Sequence, residues 1–95
     1  MSKRGYIYLM TNLTRTVVYI GVTSDLNKRV WQHKNHYFPN SFTSKYVVTI
    51  LVYFEEWPSL RDAIFREKEI KKWRREKKHW LIEQGNKNWE EIVLE

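Results

Sequence analysis

Two runs decide how this chain folds: Tyr6-Ile7-Tyr8-Leu9-Met10 and Val17-Val18-Tyr19-Ile20-Gly21-Val22. Both are rich in β-branched and aromatic residues, and the polar stretch Thr11–Thr16 separates them. This pattern predicts a β-hairpin over Gly5–Thr23. Pairing residue 8 with residue 19 sorts the side chains by period two. Ile7, Leu9, Val18, Ile20 and Val22 then make an apolar face, while Tyr6, Tyr8, Tyr19 and Gly21 share the other. Three tyrosines beside a residue without a side chain are more than a solvated face requires.

Working outward, Ser24 is read as an N-cap with Asp25 in the first turn, opening a helix that runs to about Lys34. Helical spacing puts Arg29 and His33 one turn apart on an edge of its buried stripe. Asn35–Tyr46 reads as a loop with one short turn. Val47–Trp57 is a third strand, apolar enough to be central or well covered. Pro58 ends it, and Ser59 with Asp62 forms a capping pair for a helix over Leu60–Lys72. Its apolar stripe holds Leu60, Ala63, Ile64 and Ile70, with Glu67 at the centre. A helix over Arg75–Gln84 follows, stopped by Gly85, and Trp89–Leu94 suggests a last short helix. The predicted fold is α/β of the α+β type: a three-stranded, mainly antiparallel sheet flanked by helices, in the order β-β-α-β-α-α.

The composition narrows the function. With 95 residues, the chain is read as one domain spanning 1–95. The absence of cysteine excludes disulfide scaffolds, thiolate metal sites and Cys nucleophiles. No apolar run approaches the ~20 residues of a spanning helix, and the N-terminal apolar stretch is too short for a secretory signal, so a cytoplasmic protein is expected. The net charge of +6 favours a polyanionic partner, nucleic acid before membrane. Lys71-Lys72-Trp73-Arg74-Arg75-Glu76-Lys77-Lys78 concentrates that charge around an aromatic ring, which suits phosphate contacts.

Glu67 is the sharpest anomaly, because a carboxylate on a buried stripe needs a partner. It is either half of an ion pair, with Arg29 or a lysine, or a metal ligand or acid–base group in a cleft. Arg29 and His33 are either marginal residues of an amphipathic helix or a phosphate-binding guanidinium beside a proton-transferring imidazole. His33 and His36 have no third ligand at a zinc-like spacing.

Tyr6-Ile7-Tyr8, then Tyr19-Ile20-Gly21-Val22-Thr23-Ser24-Asp25-Leu26, then Arg29 and His33, resemble the GIY-YIG nuclease superfamily, and its small single-domain bacterial members in particular. Glu67-x-x-Ile70-Lys71-x-Trp73-x-x-x-Lys77, Leu81-Ile82 and Asn86-x-x-Trp89 extend the likeness over residues 5–94. The resemblance implies an endonuclease that hydrolyses DNA phosphodiesters with a water nucleophile and one Mg²⁺ or Mn²⁺. It implies Tyr8, Tyr19, Arg29, His33 and Glu67 as catalytic residues, Glu67 also holding the metal. Tyr19 is the first choice of general base, with Tyr8 or His33 as alternatives or relays. Gly21 would admit the phosphate, and Lys71, Lys72, Arg74, Arg75, Lys77 and Lys78 would bind the DNA backbone. A partner protein supplying substrate specificity is also expected. The competing expectation is a catalytically silent nucleic-acid-binding domain of the same fold. If the nuclease reading holds, the five catalytic residues should meet on one concave face, the tyrosine side fronting the gap between the first helix and the helix that carries Glu67.

Overall fold

The structure, a computed structural model, describes residues 4–94. Strands β1 (Gly5–Thr11), β2 (Val18–Thr23) and β3 (Ile50–Trp57) form one antiparallel sheet in the order β2-β1-β3. Helices α1 (Leu26–Lys34), α2 (Phe42–Lys45), α3 (Leu60–Lys71) and α4 (Arg75–Gly85) surround it. The four-residue α2 is the short turn expected within the Asn35–Tyr46 loop.

The hairpin register differs from the expected one: Tyr8 pairs with Gly21, and Tyr19 with Met10. The reason lies in the connection. Pairing 8 with 19 requires a tight turn, but the Asn12 side chain builds a wider loop, accepting from the backbone N–H groups of Thr16 and Val17 at 2.9 and 3.1 Å. A slip of two residues preserves parity, so each side chain keeps its predicted face.

Ile7, Leu9 and Ile20 on one face pack with Ala63 and Ile70 of α3 and Leu81 and Ile82 of α4. Each such fully buried aliphatic side chain contributes about 1.5–3 kcal/mol. On the other face Tyr8 and Met10 pack with Leu26 and Val30 of α1, flanked by Tyr6, Val17 and Tyr19. Gly5 lets α3 approach closely: a Cβ there would lie 2.6 Å from the Ala63 Cβ and 2.7 Å from the Leu60 Cα.

β3 begins later than expected and lies at the sheet edge, with β1 in the centre. Val47 adopts a left-handed φ of 52°, and the Val48 N–H bonds the Thr43 carbonyl, so those residues finish the α2 turn. The apolar run reflects cover on both faces rather than a central place. A bulge opposite Leu9 and Met10 puts Val52 on the α3 and α4 side together with Ile50 and Tyr53, while Leu51 faces α1.

Three further expectations are corrected. Asp25, not Ser24, caps α1, its carboxylate accepting from the Lys28 N–H at 3.1 Å. Ile64 is exposed, and α3 instead turns Arg66 toward Glu55, gripping both carboxylate oxygens at 3.0 and 3.1 Å. Trp89–Leu94 is not helical. Asn86 captures both the N–H and the carbonyl of Glu90, at 2.9 and 2.7 Å, and its amide also donates to the Val52 carbonyl at 3.0 Å. The tail then runs along β3, where the Ile92 N–H bonds the Leu51 carbonyl at 2.8 Å. Ser59 and Asp62 do cap α3, with the Asp62 N–H on the Ser59 hydroxyl at 3.2 Å.

Candidate active site

β1 supplies Tyr8, and β2 supplies Tyr19 and Gly21. Because Gly21 has no side chain, the Tyr8 ring lies directly across it: its hydroxyl oxygen would stand 2.3 Å from a Cβ at that position. The hydroxyl thereby reaches α1, where it meets the His33 Nε2 at 2.9 Å. The Tyr19 and His33 rings meet edge-on with centroids 5.6 Å apart, and those of Tyr8 and Tyr19 are 6.3 Å apart. Two tyrosines and one histidine therefore form a single cluster.

The imidazole is fixed from its far side. Its Nδ1 lies 2.8 Å from the hydroxyl of Thr43 on α2, whose hydroxyl is in turn 3.2 Å from that of Ser41. The result is a hydrogen-bonded line Tyr8–His33–Thr43–Ser41. Sequence reasoning missed Thr43, because a threonine in a polar loop carries no signal of which ring nitrogen it will meet.

Burial sets the electrostatics. Tyr8 is 1% exposed. Burial, with the neighbouring Tyr19, pushes its phenol well above the ordinary range; the Arg29 guanidinium opposes this, and the Glu67 carboxylate adds to it. Burial, and then the positive charge of Arg29, pull His33 down to about 4. At neutral pH Tyr8 is therefore protonated and His33 uncharged. A phenol O–H donating to Nε2, with Nδ1–H donating to Thr43, satisfies every hydroxyl and nitrogen in the line.

Arg29 is half-buried one turn before His33, and its charge acts on both Tyr8 and His33. Beside it, Lys28, Gln32 and Phe38 line an open groove. Glu67 is buried at 7% exposure between Ala63 and Ile70. Its helix overlies β1 and β2 on the face opposite α1, which corrects the expectation that the tyrosine side fronts a gap between those two helices: the sheet lies between them, and Glu67 acts on Tyr8 through its charge. It is paired with Lys71, one turn on, at 2.8 Å, and the lysine is 58% exposed. That ion pair, with a lysine rather than with Arg29, is what keeps the buried carboxylate compensated.

The basic run is split by the junction between α3 and α4, and its members have different neighbours. Lys71 turns to Glu67. Lys72 lies on the outer side of α3 with Phe65 and Lys68. Lys77 stacks on Trp73, its Nζ 4.1 Å from the ring centroid. Arg74 precedes α4, and Lys78 lies in its first turn. Arg75 donates to the Thr16 carbonyl, tying α4 to the hairpin loop.

Residues 4–79 match the GIY-YIG catalytic domain. The chain belongs to the GIY-YIG family. It has that family's nuclease-like fold, and the family-model match includes the two tyrosines, Gly21, Arg29, His33 and Glu67. A UPF0213 protein of Haloquadratum walsbyi is 34% identical over 85 residues, which are 90% of this chain and 93% of the relative. A UPF0213 protein of Syntrophus aciditrophicus is 33% identical over 85 residues, 90% of this chain and 95% of the relative. The solution NMR structure of a UPF0213 protein from Bacillus halodurans superimposes with a TM-score of 0.58 at 25% identity, covering 92% of this chain and 90% of that one. Among the described residues no helix of this GIY-YIG chain is long and apolar enough to cross a membrane.

Proposed function

We propose that this GIY-YIG chain hydrolyses DNA phosphodiester bonds with Tyr8, Tyr19, Arg29, His33 and Glu67. The observation that carries the reading is the 2.9 Å contact between the Tyr8 hydroxyl and an uncharged His33, with Tyr19 and Arg29 beside it. Phosphodiester hydrolysis needs a base for the attacking water, positive charge for the phosphate oxygens and a route for the released proton. Tyr19, at the rim of the cluster, is the base that takes the proton of the water, and it returns that proton to the leaving sugar oxygen as the P–O bond breaks. Tyr8 is too strongly buried to ionise, so it keeps its proton and donates a hydrogen bond to the His33 Nε2, while the Nδ1–H donates to Thr43 and holds the ring in place. Arg29 binds the phosphate and stabilises the charge that builds on its oxygens.

Glu67 is the residue suited to hold a divalent cation. No group of three or more His, Cys, Asp or Glu gathers among the described residues, which does not suit zinc. One carboxylate completed by waters and phosphate oxygens suits Mg²⁺ or Mn²⁺. When bound, such an ion supplies positive charge against the phosphate. Lys71, exposed along most of its length, is free to swing away and release the carboxylate.

The silent-binding alternative has one observation in its favour, the closure of Glu67 by Lys71. The two readings separate when duplex, flapped and branched DNA are incubated with Mg²⁺ or Mn²⁺, and with a chelator. Metal-dependent cleavage that Glu67→Gln abolishes supports the nuclease. Gln keeps the size of the side chain and leaves no charge buried, and Lys71, mostly exposed, stays solvated without its partner, so Glu67→Gln should cost about 1 kcal/mol or less in stability. DNA binding with no cleavage under any of these conditions leaves the silent binding domain.

A further inference from the structure

Beside the tyrosine–histidine cluster the protein carries large rings where a folded chain ordinarily hides them. Phe42 is 47% exposed and Tyr46 53% exposed. The Phe42 ring lies nearly parallel to Tyr19, 24° apart with centroids separated by 6.0 Å, and Tyr46 follows 4.6 Å further on. A row of rings thus leads from Tyr19 into solvent. Trp31, Tyr37 and Phe38 form a second exposed group, their centroids 6.2 and 4.9 Å apart. The row is anchored rather than loose: Thr43, next to Phe42, is the residue that bonds His33.

The stretch of chain that carries these rings is basic: between Asp25 and Glu55 it has no carboxylate, while Lys28, Arg29, Lys34 and Lys45 fall within it, Lys34 being ion-paired with Glu91 beside Trp31. Lys45 lies in the last turn of α2, between Phe42 and Tyr46. Along the Tyr19–Phe42–Tyr46 row, flat faces with Lys45 between two of them match a chain that alternates flat bases with phosphates. In a duplex both faces of each base are already stacked, so only an unpaired base can occupy a protein ring.

We infer that the Tyr19–Phe42–Tyr46 row is a stacking track for unpaired bases next to the phosphate to be cut, which makes single-stranded DNA, or the single-stranded arm of a flap, the preferred substrate. The inference takes the position of the cut phosphate from the nuclease reading above, but the binding it describes requires no cleavage. Phe42 and Tyr46 position the strand and are assigned no part in the bond-breaking step.

The test is therefore binding in EDTA, using the whole chain. Fluorescein-labelled oligothymidylate of about 15 nucleotides is compared with a blunt duplex of equal length and with oligouridylate. The single DNA strand should bind about tenfold or more tightly than the duplex. Phe42→Ala with Tyr46→Ala should weaken single-strand binding about tenfold to a hundredfold, as loss of base stacking does elsewhere, and leave duplex binding nearly unchanged. A 2-aminopurine in the strand should be quenched on binding the unaltered protein and not on binding the variant. If the double variant does not fold by circular dichroism, Phe42→Leu, which keeps apolar bulk and removes the ring, should show the same loss of quenching. Equal or tighter binding of the duplex, preference for oligouridylate, or unchanged affinity in the folded variants would each overturn the inference. So would a dimer in sedimentation that Phe42→Ala dissolves, since the rings would then face a second copy. If single-strand binding behaves as expected while no DNA is cleaved with metal, the nuclease reading fails and the stacking track stands.

Discussion

Tyr8 occupies the space that a side chain at residue 21 would fill: a Cβ on Gly21 would stand 2.3 Å from the Tyr8 hydroxyl oxygen and 2.4 Å from its Cζ. The glycine is thus required by a ring from the neighbouring strand and not by backbone conformation, since no glycine among the described residues has positive φ. Gly21→Ala should destabilise the protein by about 1–3 kcal/mol, because Tyr8 is buried and held by His33. Tyr8→Ala removes the obstacle, so Gly21→Ala should cost much less in that background. Urea denaturation of the four proteins in the cycle measures the coupling. Additive effects would mean that Tyr8 is not held over Gly21.

His33 makes stability depend on pH in a defined window. Its ordinary value of 6.5 falls to about 4 in the folded protein through burial and Arg29. Between those values the unfolded chain takes up a proton that the folded chain refuses. The stabilisation from an uncharged His33 is complete above 6.5 and is lost as pH falls toward about 4, with a slope of at most about 1.4 kcal/mol per pH unit. Urea midpoints across this range should fall with acid, and His33→Gln should flatten that part of the curve. Below it, Glu55 adds a further loss. Burial opposes its ionisation, but hydrogen bonds from Arg66, Tyr53 and Trp57 outweigh burial and hold its carboxyl below the usual 4.5.

Thr43→Val keeps the shape of the side chain and removes the hydroxyl beside the His33 Nδ1. A buried ring nitrogen without its partner costs about 1–3 kcal/mol. The variant should also free the imidazole to change tautomer, visible as a shift in the His33 ring-nitrogen NMR signals. Cleavage should fall and its pH profile move, and Thr43→Ser should restore both. A Thr43→Val protein with wild-type nitrogen shifts would remove Thr43 from the proposed line.

The different neighbours within the basic run separate structural from binding cations. Among the described residues no ion pair forms at Lys72, Arg74 or Lys78. If they contact phosphates, changing all three to Ala should lower the slope of log affinity against log salt by about 2 for a single strand, from ~0.7 per phosphate contact. Thermal stability should barely change. Arg75→Ala should do the reverse, loosening the contact of α4 with the Thr16 carbonyl. An unaltered salt slope in the triple variant would place the phosphate contacts elsewhere.

What could be read from the sequence followed parity and periodicity. Ile7, Leu9 and Ile20 separate from Tyr8 and Tyr19 by alternation, and that survives a register error of two. The register itself depends on one side chain, Asn12, whose hydrogen bonds have no counterpart in hydropathy. The burial of Glu67 was legible from helical spacing, and its lysine partner one turn on was open to the same reasoning. Thr43 was not legible, because its place depends on where α2 meets α1 across the fold. Val47–Trp57 left a central and a well-covered strand open, and the fold takes the second, because an apolar run records what covers a strand and not how many strands flank it. Trp89–Leu94 misled because Asn86 takes the Glu90 backbone groups that a helix would have used.

The tail that Asn86 starts gives β3 a guard. Trp89 joins the core beneath α3 and α4, while Ile92 and Leu94 join the one beneath α1, so the segment bends around the sheet margin and is held on both sides. Beneath it lie Ile50, Leu51 and Val52, three consecutive apolar residues on an edge strand. An uncovered edge of that composition is a template for intermolecular strand pairing. Resistance to aggregation therefore depends on how seldom residues 86–94 peel away, a property governed by Asn86 and Trp89 rather than by any group in the cleft.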